Sequence, residues 1–477
     1  VQGRTDATRA SVAKRDLKQA RNDHLLTQEL NAKVGGATVR ATYQDVGASF
    51  GGFQSMRQAN SGNAEILNQI NVLEKEQGIR RLGFGTDLAV SKDGKLGFDW
   101  GRTSDGSGDI SQQSISLSTK SLSLNYSNLE IGKTFGAFNR LREGSAGQWA
   151  REKGISRNTL SLSLTPAKNS SLGFGQTTLR DASGTLTRQA LSLGNKTMGF
   201  TYSRSSVDST FGRLNDLSDA EKNELALEIR RQFNPNATAA EVTPQERQQV
   251  TGEAGIDRTR LGFNAALGKA AALSLSQFKV SDSTGSVRRD ALSLTGKGFQ
   301  LSYLDQNIDR GFGHLGSLNQ FERSQYGNEL GIHRTALDLS LALNKSSSVA
   351  YSQSAVRDAA GGMSRQTVSY SGKGVNARLN MASTDSSFTR ARDLAGVSDQ
   401  DKAAIEAERG FHRMDFAADV TALKGLKLNT YTYNAVNPTD AINLNRFRHF
   451  AEWLPARTSK ITYLTEGNGT SRSGVLV

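Results

Sequence analysis

The stretch NTLSLSLTP, Asn158–Pro166, sets Leu160, Leu162 and Leu164 against Ser161, Ser163 and Thr165. Strict alternation sends successive side chains to opposite faces of a pleat, so it reads as a β-strand with one apolar and one small-polar face. Working outward, SLGFGQTTL from Ser171, TLTRQALSL from Thr185 and TMGFTYSRS from Thr197 continue the alternation across short connections. Four strands in a row joined by tight turns predict an antiparallel sheet.

The same block recurs. A motif Glu-x-Gly-Ile/Phe-x-Arg occurs five times: Glu76, Gly78 and Arg81; Glu152, Gly154 and Arg157; Glu253, Gly255 and Arg258; Glu329, Gly331 and Arg334; and Glu408, Gly410 and Arg413. Its glycines are 76, 101, 76 and 79 residues apart. A second landmark, a phenylalanine usually followed by glycine, stands at Phe50, Phe135, Phe211, Phe312 and Phe388. From each of the first four motif glycines to the next landmark is 57 residues, whereas the return takes 28, 19, 44, 19 and 22. Half of the repeat is therefore fixed in length and half is free, which means that strand register is specified and the connection is not.

The turns of the fixed half are chemically ordered. The first and third carry lysine, at Lys92 and Lys120, Lys168 and Lys196, Lys269 and Lys297, and Lys345 and Lys373. The second is acidic and small, as in SDGSGD, RDASGT, SDSTGS and RDAAGG. Odd and even turns lie at opposite ends of a meander, so a basic rim that attracts anions and an acidic rim are both expected. The free half reads as helix: Ser218 and Glu221 have capping-box spacing before Leu225, Ile229 and Phe233, Ser398 repeats the signal, and Thr243, Pro244 and Glu246 mark another start.

These boundaries divide the chain into a basic helical segment, 1–34; a partial repeat, 35–77; repeats at 78–153, 154–254 (with a helical insertion at 234–252), 255–330 and 331–409; a partial repeat, 410–434; and a divergent end, 435–477. The expected fold is mainly β, an outer-membrane-type β-barrel or barrel segment of about 18–20 strands. A soluble β-repeat array is the alternative. The polar start, without a signal segment or initiator methionine, reads as that of a mature or excised piece.

Composition limits function more than it defines it. With no cysteine among 477 residues, disulfides, thiolate metal sites and cysteine nucleophiles are excluded. No apolar run is long enough for a transmembrane helix, a result that leaves β-barrels open. The formal charge of +13 invites anionic partners, and membrane lipid or anionic glycan is expected. Neighbouring repeats of a longer chain, or envelope proteins, are possible partners. Nucleic acid is not expected, because the lysines recur singly at turns rather than in clusters beside aromatic platforms.

No catalytic, cofactor or metal residues can be assigned. GFGHLG at Gly311, Gly313 and Gly316 has dinucleotide-loop spacing but occupies the landmark position after an antiparallel strand, where TFGRLN and TFGAFN stand in other copies. IGKT at Ile131–Thr134 has Ser127 where a phosphate loop needs glycine. His333 and His412 fill the variable motif position that Arg80, Ser156 and Asp257 fill elsewhere, which predicts a solvent-facing site. The motif itself reads as punctuation: glutamate and arginine form an ion pair or cap, glycine ends the helix in a left-handed turn, and arginine opens the next strand. The functional expectation is a non-enzymatic wall of the bacterial cell envelope, in the outer membrane or at the cell surface. A soluble extracellular adhesion or scaffolding protein is the alternative.

Overall fold

A computed structural model describes residues 24–231, 237–318, 320–326, 328–421, 426–437, 442–456, 459–468 and 471–476. It contains 23 strands: β1 (Leu25–Val34), β2 (Ala37–Val46), β3 (Arg80–Ser91), β4 (Gly94–Ser104), β5 (Asp109–Ser118), β6 (Leu122–Ile131), β7 (Ser156–Leu164), β8 (Ser171–Arg180), β9 (Thr185–Gly194), β10 (Met198–Val207), β11 (Asp257–Ala266), β12 (Ala271–Ser281), β13 (Ser286–Gly296), β14 (Phe299–Ile308), β15 (His333–Asn344), β16 (Ser347–Arg357), β17 (Gly362–Gly372), β18 (Val375–Thr384), β19 (His412–Val420), β20 (Leu426–Asn437), β21 (Ile442–Ala456), β22 (Ser459–Asn468) and β23 (Ser471–Leu476). Among the described residues, seven helices stand in the connections: α1 (Phe53–Ala59), α2 (Ala64–Lys75), α3 (Ala146–Arg151), α4 (Asp219–Arg231), α5 (Pro244–Gln249), α6 (Gln320–Tyr326) and α7 (Asp399–Ala407). The chain is mainly β, as the alternation predicts.

Two compact units divide it, one of residues 1–196 and 201–257, the other of 197–200 and 258–477. Within the first, β1 to β9 pair antiparallel, each with its neighbour in sequence. Within the second, β12 to β23 do the same. The register matches like with like: Leu162 faces Leu124 on one side and Phe174 on the other, while Ser163 faces Ser123 and Gly173. Lysine turns gather at one end of each unit's strands, and acidic turns and helical connectors at the other.

The strand count exceeds the expected 18–20, and both extra contributions come from the ends of the chain. The expectation of a basic helix over 1–34 is corrected: 1–23 lie outside the described residues, but Leu25–Val34 is a strand. Its partner ATVRATYQDV supplies the hydrogen bonds, with Leu30 opposite Ala41 and Leu26 opposite Asp45, and this pairing overrides helix propensity. The divergent end, 435–477, holds three further strands, β21 to β23.

Helix signals hold where they can be checked. The Ser218 hydroxyl accepts from Glu221 N at 3.2 Å while Glu221 accepts from Ser218 N at 3.1 Å. Thr243 and Glu246 form the same box before α5, and Ser398 accepts from Asp401 N at 3.1 Å. Leu225 and Ile229 are buried; Phe233 lies outside the described residues.

Candidate functional surface: two clasps, an uncovered band and a lysine edge

The five motif copies build one clasp. Every motif glycine has positive φ: +77° at Gly78, +83° at Gly154, +81° at Gly255, +74° at Gly331 and +80° at Gly410. That conformation costs other residues about 1–2 kcal/mol. Gly78, Gly154 and Gly410 each stand two residues past the glutamate that caps α2, α3 or α7, so they do end a helix as the motif suggests. Gly255 departs from that reading, because a 3₁₀ turn, Val250–Glu253, precedes it instead. The positive φ is common to all five and the α-helix is not.

The following Ile or Phe donates its N–H back to the motif glutamate carbonyl at 2.9–3.0 Å in every copy. The N–H groups of Gly78, Gly154, Gly255, Gly331 and Gly410 donate to the last residue of the preceding strand, at Val46, Ile131, Val207, Ile308 and Thr384 respectively, over 2.7–2.9 Å. The clasp thus stitches the returning chain to the strand that it must pair with and sets the register.

The motif side chains lie beneath it. Glu76, Glu152, Glu253 and Glu329 are all buried. Arg81 bonds Glu76 at 2.6 Å, and Arg157, Arg334 and Arg413 pair with Glu152, Glu329 and Glu408. Burial outweighs the arginines at Glu152 and Glu329 and pushes both carboxyls up. The arginines also reach forward: Arg81 to Glu143 at 2.6 Å, Arg157 to Glu221 at 3.1 Å and Arg258 to Glu322 at 2.5 Å, each partner in the next connector. Arg334 donates instead to the Ala395 carbonyl at 3.0 Å. This forward reach is not visible in the motif.

The landmark phenylalanines form a second clasp, and here the expected acidic rim is corrected. Asp105 accepts from Ser107 N and Gly108 N at 3.0 and 2.9 Å, and its other oxygen accepts from Gly136 N and Ala137 N at 2.6 and 2.9 Å. Asp282 repeats this with Thr284, Gly285, Gly313 and His314. Asp181 and Asp358 make the same local turn bonds. Asp105 and Asp282, and Asp181 through the Gly212 amide, are therefore tethers for the Phe-Gly loop rather than a free charged edge, while Asp358 is held by its own turn. Burial disfavours ionised Asp105, but the N–H groups of Gly136, Ser107 and Gly108 and the Ser107 hydroxyl hold its carboxyl down at about 2. The turn glycine allows the approach: a Cβ on Gly184 would stand 2.6 Å from Phe211 N. A readable signal existed, since Asp105, Asp181, Asp282 and Asp358 each precede their landmark phenylalanine by 30 residues.

GFGHLG thus serves the Asp282 tether, through the Gly313 and His314 amides. His333 bonds Asp305 at 2.7 Å and His412 bonds Ser383 at 2.8 Å, both at exposed positions. The 540 Å³ cavity beside Tyr43 holds two arginines that are already paired, Arg80 with Asp45 at 3.1 Å and Arg102 with Asp109 at 2.5 Å. Among the described residues there is no group of three or more His, Asp or Glu side chains that could hold a metal.

The placement of the connectors decides what is left uncovered. The residues buried beneath them, such as Ile110, Ile131, Leu179 and Leu186, share a sheet face with Ser161, Ser163 and Gly173. The helices therefore pack on the small-polar face, and only near the acidic-turn end. The opposite face carries Phe84, Leu96, Phe98, Ile115, Leu124, Leu160, Leu162, Phe174 and Leu191 in cross-strand register in the first unit. In the second it carries Leu292, Leu301, Tyr303, Leu339, Tyr351, Val368 and Leu379. Among the described residues, nothing in either unit's own connectors covers this band: Leu82 is 44% exposed, Leu193 40%, Leu341 44% and Leu343 53%. Contiguous exposed apolar surface on this scale marks an interaction face.

Both edges of the band are defined. Six residues after a turn lysine stands an aromatic in six of eight cases, Phe98, Tyr126, Phe174, Tyr202, Tyr303 and Tyr351, with Leu275 and Leu379 in the others. Two residues beyond them the face turns polar at Asn128, Gln176, Arg204, Asp305 and Gln353, and stays apolar at Trp100 and Met381. The tyrosine hydroxyls reach that polar row: Tyr126 donates to Asn158 at 3.2 Å and Tyr351 to Gln353 at 2.8 Å. This aromatic line is absent from the sequence reading, although its constant offset from lysine was available. At the other edge the eight turn lysines sit in the turns as expected. All are exposed, and none forms an ion pair among the described residues.

No family model and no curated protein matches the chain by sequence. Among solved structures it is similar to variants of the Rhodopseudomonas blastica porin, with 10–11% identity, 58% of this chain and 85% of the porin covered, and TM-scores of 0.20–0.21. It is also similar to OpdQ of Pseudomonas aeruginosa, at 8% identity, 76% and 89% coverage and a TM-score of 0.20. At such scores the likeness establishes neither architecture nor function.

Proposed function

We propose that this chain is a non-enzymatic wall of the bacterial outer membrane, a barrel or part of one, whose apolar band faces lipid and whose small-polar face lines an aqueous interior. The observation that carries the proposal is the side on which the connectors pack. Had the helices existed to bury the apolar face, they would lie on it. They lie on the polar face and leave the band open between an aromatic line and the turns, which is the order of a membrane β-wall. The wall serves as a pore or scaffold, with the serines, glycines and asparagines of its inner face setting what passes.

A specific observation favours a second reading. Six residues from turn lysine to aromatic line is ~20 Å along a strand, less when tilted, against an apolar band of about 25 Å in outer-membrane barrels. A band of that height also suits face-to-face packing on a second sheet, as in a soluble surface scaffold. Trp100 lies in the apolar face opposite Phe84, so it can separate the two. In a chain carrying Trp149→Phe and Trp453→Phe, lipids with brominated acyl chains are expected to quench Trp100 after reconstitution. An unquenched Trp100 in a chain that stays monodisperse without detergent overturns the membrane wall.

A further inference from the structure

We infer that the lysine turns of each unit form a phosphate-binding edge, so that each unit's sheet meets a leaflet of an anionic bilayer through a row of lysine–phosphate contacts. The inference rests on the membrane reading of the band. Four lysines belong to the first unit, Lys92, Lys120, Lys168 and Lys196, and four to the second, Lys269, Lys297, Lys345 and Lys373. Each occupies a tight turn between two strands whose nearest outward residues are often apolar: Leu164 and Leu172 flank Lys168, Leu193 and Met198 flank Lys196, and Leu343 precedes Lys345. A cation on a flexible stem at the last apolar row reaches the headgroup level when that row is in acyl chains.

The charge inventory points the same way. The motif arginines are held by glutamates and by the Ala395 carbonyl, and the turn aspartates by backbone amides. These arginines and aspartates at the connector end are thus engaged inside the fold. The turn lysines, by contrast, are exposed and unpaired, so the opposite end of each unit carries a row of unengaged cations. The two edges of the band differ in kind: tyrosine hydroxyls beside a polar row at one, free ammonium groups at the other. Such a difference gives the wall a preferred leaflet, because each lysine near an anionic surface is worth about fivefold in partitioning.

The test uses the full chain in detergent, diluted into vesicles of phosphatidylcholine alone or mixed with phosphatidylglycerol. Flotation reads association and protease protection reads insertion. The wild type is expected to insert into both and to favour the anionic vesicles. Lys92→Gln, Lys120→Gln, Lys168→Gln and Lys196→Gln together are expected to remove about fivefold of that preference per lysine, with insertion into phosphatidylcholine unchanged. Inorganic phosphate at matched ionic strength separates headgroups from free anion: competition beyond that of chloride would show a site for the free ion and overturn the lipid assignment. Insertion without anionic preference, or a preference that survives the four substitutions, overturns the lysine edge and leaves the wall standing. Lysine-dependent association with anionic vesicles without protease protection supports the edge and overturns the wall. Failure to associate with either vesicle overturns both.

Discussion

Replacing Asp105 by alanine tests whether the acidic turns are tethers or a surface rim. The Asp105 carboxylate accepts four backbone N–H groups, from Ser107, Gly108, Gly136 and Ala137 at 2.6–3.0 Å, and the Ser107 hydroxyl at 2.7 Å. Hydrogen bonds to a charged acceptor contribute about 1.5–3 kcal/mol each when well shielded. This turn is half exposed, and water replaces part of what is lost, so the expected cost is about 3 kcal/mol rather than the sum. Asp105→Asn keeps one acceptor oxygen and turns the other position into a donor, for roughly half that cost. The reporter is close by, because Trp149 packs against the cluster that contains Phe135, the residue beside Gly136. In a chain carrying Trp100→Phe and Trp453→Phe, urea unfolding followed by Trp149 emission in mild detergent therefore reads the clasp directly. The carboxyl is held at about 2, below its ordinary 3.8, so its stabilisation is present above about pH 4 and is lost as the pH falls towards 2. Asp105→Ala should flatten that part of the acid profile. A change within about 0.5 kcal/mol, the usual range for an exposed surface charge, together with an unaltered acid limb, would refute the tether.

Three further outcomes follow from the same geometry. Arg81→Met strands Glu76, which is fully buried, and should cost about 3–5 kcal/mol, while adding Glu76→Gln should recover part of the loss in a double-mutant cycle read by urea unfolding. Gly331→Ala meets both a φ of +74° and the Arg310 Cβ at 3.3 Å, so about 1–2 kcal/mol is expected, against little effect from Gly62→Ala, whose added Cβ meets nothing; thermal melts compare the two. If the band is the lipid face, reconstitution yield measured by flotation should be higher in dilauroyl than in dioleoyl phosphatidylcholine, because the ~20 Å from lysine to aromatic suits a thin bilayer.

Much of this was legible in the sequence, for reasons that differ by element. Leu160, Leu162 and Leu164 declare a strand because period two has a single physical meaning, and the 57-residue interval declares a fixed block because register tolerates no slippage. Leu25–Val34 reads as helix since Leu26 and Leu30 stand at helical spacing; only the partner strand Ala37–Val46 decides otherwise. The motif glycines declare a left-handed turn at Gly78 and Gly410 as at the other three, but not whether an α-helix or a 3₁₀ turn leads into it. In the divergent end the alternation is broken by a register shift in β21 between Trp453 and Ala456, where Trp453 and Leu454 are 48% and 43% exposed on adjacent positions. The fate of the turn aspartates was hidden for another reason. A carboxylate in a Gly/Ser turn looks the same whether it faces water or a loop 30 residues away, and only the constant offset to phenylalanine distinguished them.

The two clasps explain why the connectors could vary while the wall did not. One end of each connector is held by landmark phenylalanine against the acidic turn, the other by the motif glycine bonded to the end of the preceding strand. Both anchors lie within the strand block's own geometry, so the chain between them is free to be 19 residues after Phe135 or 44 after Phe211 without shifting a strand. The longer connector adds α4 and α5 and a larger cluster around Leu214, Leu225 and Val250, yet it ends in the same turn at Gly255, with Ile256 N bonded to the Glu253 carbonyl at 3.0 Å. Variation is thereby confined to the polar face near the acidic-turn end. The apolar band and its lysine edge keep the same six-residue offset in every full repeat, whatever the connector length. On the proposed membrane reading that constancy is expected, because a bilayer presents the same slab to every strand.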